Sequence, residues 1–282
     1  MPRRKTTVRT RGLGAELRDL RATTGLSTRA VAQQLGWSAS TLNRMETGQR
    51  AITAEDVSAL LVVYGVTGPD RDRLLDAARD SDRPGWWETT HAGLPEKLPA
   101  LIGFESQATQ ITDVSLVLIP GLLQTPEYTR AVMQACGVPP VDAETLVATR
   151  LGRQAVLSRP DPPGYLAILD EAALRRPVGG RAAMAEQLRH VTQATERLNV
   201  TVQLIPFDRG AHTGLDGPFV VLDFTMAQTV VHLEHKRASL FVDEANNVAP
   251  FVSAVDTLRG MALDPRRSAE FIASVAAEYD RE

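Results

Sequence analysis

Residues 27–48 read STRAVAQQLGWSASTLNRMETG, and no other stretch of the 282-residue chain restricts its fold so tightly. Ser27 is placed to cap a helix running through Val31 to Leu35. Gly36 breaks that helix, and Ser38 can cap the next, which runs to about Thr47 and is closed by Gly48. Two short helices joined by a glycine turn match the helix-turn-helix unit. The flanks supply the rest of a small bundle. Leu13, Leu17 and Leu20 recur at helical spacing before Gly25, which ends the first helix. Thr53 with Asp56 three residues on resembles a capping box. It opens a fourth helix that turns Val57, Leu60, Leu61 and Tyr64 inward, and a fifth, from about Asp70 to Asp80, offers Leu74, Leu75 and Ala78.

The helix after Ser38 divides cleanly at 100° per residue. Leu42 and Met45 fall on one face; Ser40, Asn43, Arg44 and Thr47 fall on the other, where Glu46 is the only acid. The outward groups are those that read base edges: Arg forks onto guanine, Asn onto adenine, and Ser or Thr reaches phosphate or base. Thr28, at the start of the preceding helix, is placed to touch a phosphate. Charge points the same way. Residues 1–65 hold ten Lys and Arg against five acids, whereas the whole chain has a net charge of −3, so a basic head precedes an acidic body. Such asymmetry suits a head that meets a polyanion. Residues 1–11, polar and basic without apolar period, read as a flexible arm.

The length is a prior for about two domains of ~150 residues. Composition shifts at SDRPGWWETT (81–90), where Pro84 and Gly85 stop the fifth helix and Trp86 and Trp87 begin new core. This divides the chain into the arm (1–11), a helical domain (12–80) and a larger domain (81–282). In the larger domain helices are expected near 97–109, 126–136, 141–158, 181–198, 246–262 and 266–280. Strands are expected near 111–119, 165–170, 200–207, 218–224 and 229–235. Met184, Leu188, Val191 and Leu198 are expected to face inward. Helices and strands mix without regular alternation, so the fold class is an all-α N-terminal helix-turn-helix bundle followed by an α+β domain.

The chemical inventory is short. No run approaches ~18 consecutive apolar residues, which argues against a transmembrane helix, and the basic N-terminus lacks the apolar segment of a secretory signal. One cysteine, Cys136, excludes a disulfide framework and reads as a buried small apolar residue. A cytoplasmic protein is expected. Gly12 and Gly14 lack the third glycine and the preceding strand of a dinucleotide fingerprint. On a strand, His232 and Glu234 point to one face and His235 to the other, which argues against a metal site. Asp170 and Glu171 suit charge stabilisation of a helix N-terminus. The turn Ile119-Pro-Gly-Leu-Leu-Gln-Thr125 and the cluster Arg150, Arg153 and Gln154, on one helix face, are candidates for contact with a partner or ligand. The sequence calls for no metal and no cofactor, and no catalytic constellation marks an enzyme.

Residues 12–77 resemble the Xre/lambda-repressor-like helix-turn-helix family. The resemblance is carried by Leu17-Arg18-x-Leu20-Arg21, Ser27 to Gly36, Ser38-x-Ser40-Thr41-Leu42-Asn43-Arg44-Met45-Glu46-x-Gly48 and Ile52-Thr53. It implies a third helix in the major groove of double-stranded operator DNA, with recognition by Ala39, Ser40, Thr41, Asn43 and Arg44. At Ala39 the family often has a long polar residue; here the contact would be with a thymine methyl group. Residues 86–280 are similar to the uncharacterised C-terminal domain of many actinobacterial Xre-type regulators, described as antitoxin-like. That likeness rests on Phe104-Glu105-x-Gln107-Ala108, Ile119 to Thr125 with Glu127-Tyr128, Arg150-x-x-Arg153-Gln154, Leu169-Asp-Glu171, Leu174-Arg175-Arg176-x-Val178-Gly179, Gln187-Leu188 and Phe219 through Glu234. It implies a regulator, often paired with a small protein. Expected partners are therefore operator DNA, a second copy in a homodimer, and a small protein encoded nearby, but no membrane. Gly121, Leu122, Leu123, Gln124, Arg150, Arg153 and Gln154 are candidates for the protein or ligand contact. The alternative is a DNA-binding head tethered to an enzymatic C-terminal domain.

Overall fold

The computed structural model describes residues 8–80, 98–225, 227–235 and 238–281. Its contacts divide into two compact units, one made of residues 1–107 with 235–243 and the other of 108–234 with 244–282. The Trp86-Trp87 pair and the arm residues 1–7 lie outside the described residues.

Among the described residues the first unit contains six helices: α1 (Val8–Thr23), α2 (Thr28–Gln34), α3 (Ala39–Glu46), α4 (Ala54–Tyr64), α5 (Gly68–Asp80) and α6 (Leu98–Gln107). Side-chain hydroxyls begin three of them. Ser27 Oγ accepts from the Ala30 amide, Ser38 Oγ from that of Thr41, and Thr53 Oγ1 from that of Asp56. The Asp56 carboxylate closes the capping box by accepting from the Thr53 amide. The α2–α3 turn bends through Gly36 at φ +67°, a conformation in which a side chain would be strained. Leu13, Leu17, Val31, Leu42, Met45, Ile52, Val57, Leu60, Leu61, Tyr64, Leu74 and Leu75 form one buried core. Two expectations shift. Residues 8–11 belong to α1, and Thr10 is buried, so they are helix rather than arm. Helix α6 packs in this unit, so the division falls after Gln107 rather than after residue 80.

The second unit is built on a mixed sheet. Its strands are β1 (Gln110–Ser115), β2 (Gly164–Asp170), β3 (Val200–Ile205), β4 (Phe219–Asp223), β5 (Val230–His235) and β6 (Ala238–Val242), in spatial order β3-β2-β1-β4-β5-β6. The residues of β6 divide with the first unit. Strands β1, β2 and β3 are parallel because helical crossovers connect them: α7 (Pro126–Ala135) and α8 (Pro140–Gln154), then α9 (Glu171–Arg175) and α10 (Arg181–Ala194). Strand β4 runs antiparallel to β1, and β5 antiparallel to β4. Ile111, Tyr165 and Val200 share one rung, and Thr112, Leu166 and Thr201 the next. Helices α11 (Ala245–Met261) and α12 (Pro265–Arg281) complete the unit. At the edge strand β3, the Leu204 amide donates to Ser268 Oγ and its carbonyl accepts from the Leu263 amide. The α11–α12 connection thereby covers part of an exposed ladder.

This α+β architecture is the one the sequence predicts, with local differences, one of them the strand β6, which the sequence did not predict. Leu198 is fully exposed rather than inward, because α10 stops at Ala194 and a turn follows. The strand expected to reach 119 ends at Ser115. Cys136 is exposed at the C-cap of α7 rather than buried.

Candidate nucleic-acid interface

The turn at Gly36 sets α3 beside α2, and the core decides which way α3 faces. Leu42 and Met45 are buried in the bundle; Ser40, Asn43 and Arg44 are exposed on the opposite side. Thr28, Ala39 and Thr41 are half-buried, Thr28 at the first position of α2. Ser38 donates its hydroxyl to Thr41 Oγ1 at 2.9 Å. Thr47 is half-buried, and its hydroxyl donates back to the Asn43 carbonyl.

Glu46 corrects the reading of this helix. It is 2% exposed and accepts from Arg21 Nε at 2.7 Å and Nη2 at 3.0 Å, while Arg21 Nη1 donates to the Leu26 carbonyl. The carboxylate raises the Arg21 pKa above its ordinary value. Burial, then the negative charge of Glu46, pushes up the pKa of the Tyr64 phenol. The single acid of α3 therefore faces inward and joins α1 to α3. The outer face is left without negative charge.

The arginines of residues 12–80 separate into two groups. Arg18, Arg21, Arg71, Arg73 and Arg79 each lie beside an acid: Asp19, Glu46, Asp72, Glu16 and Asp76. Arg29, Arg44 and Arg50 are exposed and have no acidic partner among the described residues. Arg29 is on α2, Arg44 on α3, and Arg50 follows α3 with its amide bonded to the Arg44 carbonyl. Arg29 and Arg50 were not singled out in the sequence: Arg29 has no acid three or four positions away, a signal that was present, whereas Arg50 follows Glu46 by four and stands without it only because Glu46 is buried against Arg21. Three unneutralised guanidiniums around a polar helix face make a surface suited to an anionic polymer.

The C-terminal cluster assembles as well, but mostly inside the molecule. Arg150 Nη1 donates to Gln124 Oε1 at 2.9 Å, and Gln154 Nε2 donates to the carbonyls of Gly121 and Gln124. Gln124 also donates to the Ile119 carbonyl and accepts from Thr129, so both ends of its amide are engaged. Leu122, Leu123 and Gln124 are buried and offer no side chain to a partner in this conformation. Arg150 and Arg153 remain half-buried beside Gly121. Asp170 caps α9 through the Ala172 amide and also meets His212 Nε2 at 3.1 Å; no local pattern pointed to His212. Glu171 accepts from the Phe207 amide and from Arg175.

Residues 98–274 match the family described as Domain of unknown function (DUF5753). The chain belongs to this family. Ahead of the DUF5753 segment, residues 12–74 match a helix-turn-helix domain, which spans α1 to α4 and part of α5. No curated protein and no solved structure matches the chain. Among the described residues, no helix is long and apolar enough to cross a membrane.

Proposed function

We propose that this DUF5753 protein is a sequence-specific transcriptional regulator of the Xre type, cytoplasmic and homodimeric, that reads double-stranded DNA with α3. The observation carrying this reading is the polar surface of α2, α3 and the residues just after α3: Arg29, Arg44 and Arg50 have no acidic partner among the described residues, and Ser40 and Asn43 are exposed on α3. Arg44 and Asn43 take base edges, Ala39 a thymine methyl, Ser40 and Thr41 base or phosphate, and Thr28, Arg29 and Arg50 phosphates. The DUF5753 domain acts as a binding module rather than a catalyst. It takes a small protein encoded nearby, in an antitoxin-like pair, or a ligand, with Arg150 and Arg153 as the accessible part of the contact.

The test begins with a duplex selected from a random pool by the full-length protein. Arg44→Ala is expected to weaken its binding by about 1–3 kcal/mol and to relax preference at one position. Arg29→Ala and Arg50→Ala are expected to weaken all sequences alike, each reducing the slope of log K against log salt by about 1. Unchanged affinity for both Arg44→Ala and Asn43→Ala would refute the assignment of α3.

A further inference from the structure

Helix α6 lies within the residues matched to the DUF5753 family, yet it packs in the first unit, against α1. The contact is close. A Cβ built on Gly103 would lie 2.8 Å from the Ala15 Cβ, and one on Gly12 would lie 3.7 Å from the Ala100 Cβ. Another side of α1 meets α3: a Cβ on Gly14 would collide with the Met45 carbonyl oxygen. The Arg21–Glu46 pair joins the same two helices again. Phe104 of α6 in turn packs its ring on Phe241 of β6, with centroids 4.9 Å apart.

At Gly14 and Gly103 backbone meets a carbonyl or a methyl group, with no flexible side chain between to absorb a displacement. Close-packed contacts of this kind transmit strain. Base readout needs donors held within about 0.5 Å of their productive place, whereas long arginines reaching phosphates tolerate more. We propose that Gly103 and Ala15 are positioning residues: α6, the first helix of the family segment, sets the placement of α3 through α1. Discrimination between sequences, rather than general affinity for DNA, then depends on the α1–α6 seam. This rests on the reading of DNA by α3.

The experiment compares, for the full-length protein, affinity for the selected duplex and for a scrambled duplex of equal length. Gly103→Ala is expected to lower the ratio of the two affinities about tenfold, as one impaired base contact does, with binding to the scrambled duplex unchanged. Ala15→Gly combined with Gly103→Ala moves the methyl group from α1 to α6 and is expected to restore the ratio. Ala15→Gly alone, which opens the seam without crowding it, is expected to lower the ratio less. Gly260→Ala, at a helical glycine with open space around it, is expected to change nothing. If Arg44→Ala leaves the selected duplex unaffected, the reading of α3 fails. If Arg44→Ala weakens it while Gly103→Ala and Ala15→Gly both leave the ratio intact, or lower both affinities equally as loss of folded protein does, the positioning role is overturned.

Discussion

The two units hold themselves together over different distances along the chain. In the helix-turn-helix unit, many of the polar contacts that shape the bundle are local. Ser27, Ser38 and Thr53 each cap an amide three residues away, and Gly25, Gly36, Gly48 and Gly65 turn the chain with positive φ at helix ends. In the sheet unit the comparable contacts are long-range. Gln187 accepts from the Thr125 amide and donates to the Leu123 carbonyl, 62 and 64 residues away. Ser268 accepts from the Leu204 amide across 64 residues. A local cap selects the start of a helix; a distant brace selects which elements pack together. The helix-turn-helix unit also pairs Arg73 with Glu16 across 57 residues at its more exposed surface, and its buried exception is the Arg21–Glu46 pair, which spans 25 residues.

That exception provides the largest expected effect. Glu46→Ala leaves the Arg21 guanidinium largely buried without its carboxylate, a change that costs about 3–5 kcal/mol when the partner of a buried pair is removed. Asp280→Ala breaks the Arg189–Asp280 pair of the sheet unit, where both side chains are more than half exposed, and is expected to cost about 0–1 kcal/mol. Urea titrations of the two variants measure the contrast. Hydrogen exchange is expected to place the Glu46→Ala loss in α1 to α4. Equal losses in the two variants would remove the distinction between a buried and an exposed pair.

Two serines bring the comparison to a single hydroxyl. Ser268 is fully buried, accepts from the Leu204 amide and donates to the Leu263 carbonyl. Ser268→Ala leaves that buried amide unpaired, at roughly 1–3 kcal/mol, and is expected to speed exchange at Leu204. Ser38→Ala removes an exposed cap whose amide water can still reach, so its loss is expected at the lower end of about 0.5–2 kcal/mol. If Ser38→Ala proves the more damaging, then local capping contributes more to this protein than long-range bracing.

The same difference in range decides what was legible in the sequence. The caps at Ser27, Ser38 and Thr53, and the inward set Leu42 and Met45, follow from residues within one or two helical turns of each other. The outer face of α3 was legible for that reason, with Ser40, Asn43 and Arg44 placed outward. The orientation of Glu46 was not, because its partner Arg21 lies on another helix. Leu198 shows a second limit: its spacing continues the apolar face of α10, but the helix ends at Ala194, and spacing alone does not reveal where a helix stops. The turn at Gly121–Gln124 was visible as a turn. Its burial was not, because Gln187 and Gln154 reach it from elsewhere in the chain. Helix α6 was visible near its true position, yet nothing in its own residues said that it packs on α1.

The smallest expected effect tests whether burial on α10 acts through charge. His190 is half-buried on that helix, and desolvation lowers its pKa below the ordinary 6.5, helped by the positive charge of Arg197 and opposed by Glu186. A group with a lowered native pKa binds fewer protons in the native than in the unfolded state between the two values. Stability therefore rises with pH through that window. The contribution is fully present above about pH 6.5, is lost progressively as pH falls towards the native pKa, and is gone below it. The chain has five histidines, and His212 is itself paired with Asp170, so the signal is the difference between the wild type and His190→Gln. The variant is expected to show a shallower fall in urea midpoint between pH 6.5 and 5, with the two proteins differing least above pH 7. Parallel curves would mean that His190 is as well solvated in the native state as in the unfolded chain, and that the polar side of α10 contributes packing without a charge effect.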